Sequence, residues 1–161
     1  MGAWSGEPFG NDTAADWVWE LDESDDWEVV REALNEALEP GEFVDADVAS
    51  SAIAAAAVVA RGLVQSTDEE APIEDNRGED DPAEADEAED NGDDVEDDDV
   101  AESITSFLAR AGEPPADVVQ LALNGLNAAT GRTSELTDLW AESGDTEWGR
   151  ANTKLRNDLG G

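Results

Sequence analysis

Asp45-Ala46-Asp47-Val48-Ala49-Ser50-Ser51-Ala52-Ile53-Ala54-Ala55-Ala56-Ala57-Val58-Val59-Ala60 is the stretch on which the fold turns. Asp45 starts a helix there, and the run from Ile53 to Val59 leaves that helix apolar on nearly all sides. Such a helix has to be surrounded by others, so it belongs at the centre of a bundle. The longest apolar run, Ala52 to Ala60, is far short of the roughly twenty residues a bilayer crossing needs, which points away from a membrane.

Working back toward the N-terminus, Trp27, Val30, Leu34, Ala37 and Leu38 form one apolar stripe, ended by Pro40-Gly41. Asp25 and Glu28 stand at its start with the spacing of a capping box, Asp replacing the usual Ser or Thr. Before it, Ala14, Trp17, Val18 and Leu21 repeat at helical spacing behind Asn11 or Asp12 as cap. Toward the C-terminus, Val100, Ile104, Phe107, Leu108 and Ala111 keep the same period until Gly112 and Pro114-Pro115 stop it. Val118, Val119, Ala122, Leu123 and Leu126 form the next helix, closed near Gly131. Ser134 to Ser143 makes a short helix with Leu136, Leu139 and Trp140, and Gly144-Asp145 turns the chain into a last one with Trp148, Ala151 and Leu155. No stretch alternates convincingly at period two, and no repeat recurs. The expected class is all-α: a compact bundle of about six or seven short helices in a single domain, residues 1–161.

Between the two helical halves, about Thr67 to Asp99 is almost entirely Asp, Glu, Ala, Asn, Gly and Pro. Ordering such a segment costs roughly 1 kcal/mol or more of backbone entropy per residue with little apolar burial to offset it. The sequence therefore predicts a long disordered acidic loop interrupting the bundle.

The acid excess extends well beyond that loop. The chain has 43 Asp plus Glu against 8 Lys plus Arg, a net charge of -35 on 161 residues. A surface so charged repels itself in dilute buffer, whereas at molar salt the screening length falls to roughly 3 Å. Scattered carboxylates and a single lysine, Lys154, predict a protein built for a salt-filled cytoplasm. The N-terminus carries no basic leader and apolar core, so the expected location is cytoplasmic. Gly6 stands where a myristoylation motif needs Ser or Thr.

The opening Met1-Gly2-Ala3-Trp4, then Pro8-Phe9, Asn11-Asp12, Ala14 and Asp16-Trp17, resembles the start of DUF4259, a family of domains of unknown function. Leu139-Trp140-Ala141-Glu142-Ser143-Gly144-Asp145, with Glu147-Trp148 and Leu155-Arg156, is similar to the family's closing segment. The stretch from about Thr67 to Asp99 looks like an insertion. The resemblance implies a fold family and no activity.

The side-chain inventory excludes much chemistry. There is no Cys, His or Tyr, hence no disulfide, no thiolate and no imidazole base. Ser50 and Ser51 have no His partner and no nucleophile elbow, leaving only a remote Ser-Lys pairing with Lys154. No phosphate-cradling loop occurs, and cations are too sparse to hold a nucleic-acid backbone. Asp12, Asp16 and Glu20, and again Glu28, Glu32 and Glu36, fall on single helical faces, where paired carboxylates hold Mg²⁺ or work as acid and base. In a chain this acidic the spacing arises by chance, and a solvated face is the expectation. Glu87 to Asp98 has a weak likeness to a calcium loop and predicts loosely condensed cations, with no bound cofactor or metal. Asn11-Asp12-Thr13 fits a glycosylation acceptor, but capping explains it better.

The candidate interaction or structural motif is therefore aromatic: Trp4, Phe9 and Trp17 with Asn11, Asp12 and Asp16 at one end, Trp140 and Trp148 at the other. The function expected is non-catalytic, through contact with a protein partner. Two other readings stay open: an acidic decoy or immunity-type inhibitor of a basic protein, and a carboxylate- and Mg-dependent hydrolase.

Overall fold

Helix formation follows the apolar stripes closely. The computed structural model describes residue 9 and residues 12–39, 43–70, 95–144 and 146–160, with side chains for all of these except 66–70 and 95–98. Among the described residues there are seven helices: α1 (Asp12–Asp22), α2 (Glu28–Ala37), α3 (Ala46–Glu70), α4 (Val95–Ala111), α5 (Ala116–Ala129), α6 (Glu135–Ser143) and α7 (Glu147–Asp158). The protein is an all-α bundle.

α3 is the axis of the bundle, packing against α1, α2, α5, α6 and α7. Its Ala49, Ala52, Ala54, Ala55 and Ala56 are fully buried, as are Val58 and Val59. Small side chains let neighbouring backbones approach on several sides at once, which a ring of leucines would prevent. At 25 residues α3 is the longest of the described helices. Ala46–Gln65 within it is long and apolar enough to cross a membrane by length and composition, and 61% of an 18-residue window of it is buried inside the bundle. Its apolar faces are spent on other helices. The sequence reading missed this span because two serines, an arginine and a glycine interrupt the uniformly apolar run.

The two halves of the chain close on each other, α1 on α4 and α2 and α3 on α5. Trp27, at the entry to α2, meets Phe107 of α4 edge to face, with ring centroids 5.1 Å apart and planes at 83°. α2 and α5 approach closely at Gly125, where a β-carbon would lie 2.7 Å from Leu34 Cδ2.

Disorder was expected from Thr67 to Asp99, yet the backbone is helical through Glu70 and again from Val95. Once a packed body has nucleated a helix, each added residue gains a hydrogen bond cheaply, so α3 and α4 run on into acidic sequence. Residues 71–94, and with them most of the expected loop and its calcium-like motif, lie outside the described residues.

One helix start differs from expectation, while Asp45 starts α3 as expected. Asp25 does not form a capping box with Glu28. The Glu28 N–H donates to Asp26 Oδ1 at 3.0 Å, while Asp25 pairs with Arg110 at 3.1 Å. At the head of α3 the Asp45 carbonyl accepts from Ala49 N–H at 2.9 Å, and the Ala46 N–H donates to Glu135 Oε2 at 2.8 Å. A carboxylate from the first turn of α6 thus satisfies an N–H that α3 leaves unpaired. The same junction holds an isolated parallel bridge between Val44 and Ser134, with Val44 N–H on the Thr133 carbonyl and Glu135 N–H on the Val44 carbonyl, each 2.8 Å.

With so few cations, their placement is informative. Arg31 of α2 reaches Asp117 of α5 at 2.6 Å. Arg110 of α4 donates to the carbonyls of Leu21, Asp22 and Ser24 at the end of α1, at 2.7, 3.3 and 3.0 Å. Arg156 of α7 donates to Asn127 Oδ1 and Thr130 Oγ1 near the end of α5, at 3.0 and 3.1 Å. Three of the eight positive side chains therefore tie one helix to another.

Candidate functional site

α6 and α7 are built to meet at an angle. Gly144 takes the left-handed conformation, φ +75°, and its N–H donates to the Trp140 carbonyl at 3.2 Å, ending α6 and sending the chain back into α7. Leu136 and Trp140 share the buried face of α6, one turn apart. On α7, Asn152 and Leu155 face inward, as does Leu159 just past its end. Asn152 Nδ2 donates to the Trp148 carbonyl at 2.9 Å, which fixes a buried amide within its own helix.

Trp140 and Trp148 stack across the junction with centroids 6.1 Å apart and planes only 7° from parallel. Trp140 is nearly buried and Trp148 half-buried, so the pair forms the apolar floor of an open groove of about 760 Å³. Thr137 of α6 lies along one wall, and Arg150, Thr153 and Lys154 of α7 along the other. Positions 150, 153 and 154 are three and four apart, so they share a helical face. Among the described residues no Asp or Glu lines the groove. In a chain where 43 of 161 residues are acidic, this is an unusual surface. Thr137 Oγ1, in its wall, has no hydrogen-bond partner among the described residues.

The residues singled out by sequence do not form one site. Trp17 is buried and Phe9 packs half-buried against the core, so both are used structurally. Asp12 and Asp16 are exposed on α1. Trp4 and Asn11 lie outside the described residues. Only Trp140 and Trp148 are brought together where a ligand has access. The cations and threonines beside them were not singled out from sequence, although an Arg and a Lys four apart in so acidic a chain were a legible signal.

Other chemistry was tested against the geometry. Glu20, Glu28, Glu32 and Glu36 are exposed like Asp12 and Asp16, and among the described residues no three acidic side chains gather as a metal-binding group. Ser50 is buried on α3, while the Lys154 ammonium is exposed and bonds Asp158 at 2.8 Å. Among the described residues a carboxyl is perturbed at a helix contact: the hydrogen bond from Arg31, opposed by burial and helped to a lesser extent by the positive charge of Arg31, holds Asp117 below the ordinary carboxylate range.

The family model of a domain of unknown function (DUF4259) matches residues 2–151. The chain belongs to the DUF4259 family. The matched span of this DUF4259 domain runs from before α1 into α7, so Trp140, Trp148 and Arg150 fall inside it and Lys154 beyond it. Neither the curated proteins nor the solved structures contain a match.

Proposed function

We propose that this DUF4259 domain acts by contacting another protein, without chemistry of its own, in a salt-rich cytoplasm, and that residues 1–161 work as one domain. The observation that carries the reading is the α6–α7 groove, where the half-buried Trp148, stacked on the nearly buried Trp140, opens to solvent beside Arg150 and Lys154. Indole pairs in open grooves are strong anchors for protein contact, because they bury a large area while losing little side-chain entropy. The lack of Cys, His and Tyr agrees with a role in binding.

The reading is tested by screening short peptides of varied charge in molar KCl and mapping hydrogen-exchange protection on the domain. Protection concentrated on α6 and α7 is expected. Protection elsewhere, or a peptide set that leaves exchange unchanged, would remove the groove as a contact surface.

A further inference from the structure

We propose that the α6–α7 groove takes an acidic segment of a partner protein, seating an aliphatic side chain on Trp140 and Trp148 and placing carboxylates on Arg150 and Lys154. This inference rests on the protein-contact reading and adds the sign of the partner's charge.

Charge allocation argues for it. Arg31, Arg110 and Arg156 are occupied between helices, as described above. Arg150 and Lys154 instead lie exposed along one wall of the groove, one turn apart. Lys154 already holds Asp158, but an ammonium has three donors and can take a second carboxylate without giving up the first. α7 as a whole carries Arg150, Lys154 and Arg156 against Glu147 and Asp158, three cations to two acids, whereas α1 carries four acids and no cation. α6, with Glu135, Asp138 and Glu142, stays acidic, so the excess of cations is confined to the α7 wall of the groove.

Shape argues for a chain segment. Arg150, Thr153 and Lys154 are exposed, so the groove is a shallow trough that cannot enclose a small molecule as a closed cavity does. The aromatic floor flanked by hydroxyls and cations suits an extended stretch with one apolar side chain between acidic ones.

The charge of the whole molecule then sets an unusual salt dependence. At low ionic strength a field from -35 charges repels an acidic segment long before it reaches the groove. At molar salt the Debye length is roughly 3 Å, which removes the long-range repulsion while contact between carboxylate and guanidinium survives. Salt should therefore strengthen this association, whereas it weakens the capture of a basic partner.

The test uses dye-labelled peptides of equal length with one central leucine, in acidic, neutral and basic versions, followed by anisotropy at tenth-molar and two-molar KCl. The acidic peptide should bind best in high salt, with affinity roughly tenfold above that in low salt. R150E/K154E should abolish that preference, and the milder R150Q/K154Q, which leaves the exposed positions uncharged, should reduce it. Circular dichroism at each salt concentration checks that the domain and both variants are folded there, and the low-salt arm is set at the lowest KCl that keeps full helicity. Equal binding of neutral and acidic peptides, unaffected by either variant, would overturn the acidic assignment and leave the protein-contact reading intact. Preference for the basic peptide, fading with salt, would overturn it in favour of a decoy. Binding of benzoate or of oligothymidylate with none of any peptide would overturn both readings, as would no binding at all.

Discussion

The Arg110 guanidinium of α4 donates to the Leu21 carbonyl at 2.7 Å and so closes the end of α1 from a distant part of the chain. The last carbonyls of a helix have no partner within it and carry partial negative charge, and a cation placed there supplies both a donor and a favourable field. Arg110→Ala should cost about 1 to 3 kcal/mol, the range for hydrogen bonds to a charged group. Arg110→Lys should recover only part, since a compact ammonium cannot span Leu21, Ser24 and Asp25 together. Asp25→Asn should change little, because that carboxylate is 85% exposed. Denaturant unfolding in molar KCl checks all three; a loss in Asp25→Asn equal to that in Arg110→Ala would mean the ion pair, and not the carbonyl cap, carries the stability.

Gly125 on α5 is set by the neighbouring helix. Alanine there would gain helix propensity of about 1 kcal/mol, yet its β-carbon would sit 2.7 Å from Leu34 Cδ2, and because Leu34 is fully buried, turning that methyl aside presses it on other core side chains. Gly125→Ala should therefore destabilise by about 1 to 2 kcal/mol net. In a Leu34→Ala background the same change should be neutral or stabilising, because the obstacle is gone and the propensity gain remains. Thermal unfolding of the four proteins in the cycle measures the coupling, and simple additivity would show that α2 and α5 do not meet here as described.

How much was legible in the sequence follows from the range of each interaction. Helices α1 to α7 announce themselves because apolar spacing is local, and Gly112 and Gly144 end α4 and α6 where turn chemistry places them. The Ala-rich segment is legible as the bundle axis for the same reason. Contacts between distant segments are not legible. Nothing near Ala46 indicates that Glu135 will satisfy its N–H, and nothing near Asp25 indicates that Arg110 will draw it out of a capping box. Half of the groove was visible as Trp140 and Trp148, since aromatic residues stand out against an acidic background. The other half needs the angle between α6 and α7, which alone puts Thr137 opposite Arg150 and Lys154.

The Arg31–Asp117 contact gives a pH dependence of known sign. The hydrogen bond and charge of Arg31 depress the Asp117 pKa in the folded state, so the contribution to stability is present above the unfolded pKa of an aspartate and is lost as pH falls through the lower folded value. Carbon-13 chemical shifts of the Asp117 carboxyl should titrate below the ordinary aspartate range and return to it in Arg31→Gln. Asp117 is largely and Arg31 partly solvent-accessible, so the displacement should shrink as KCl is raised. An Asp117 midpoint unchanged by Arg31→Gln would mean the pair is not formed in solution.

Net charge predicts how the whole fold responds to its solvent. Mutual repulsion among exposed carboxylates opposes compaction, and two independent routes relieve it: screening by salt and neutralisation by protons. Far-ultraviolet circular dichroism should show helix lost on dilution into low-salt buffer and regained in molar KCl. At constant low salt, lowering the pH toward the pI of about 4.1 should restore helix as well, because protonation removes the charges that salt would otherwise screen. Recovery by KCl without recovery by acid would assign the effect to ion binding at specific positions. Full helicity in low-salt buffer at neutral pH would show that packing around α3 outweighs the repulsion unaided, and the acidic surface would then need an explanation other than adaptation to brine.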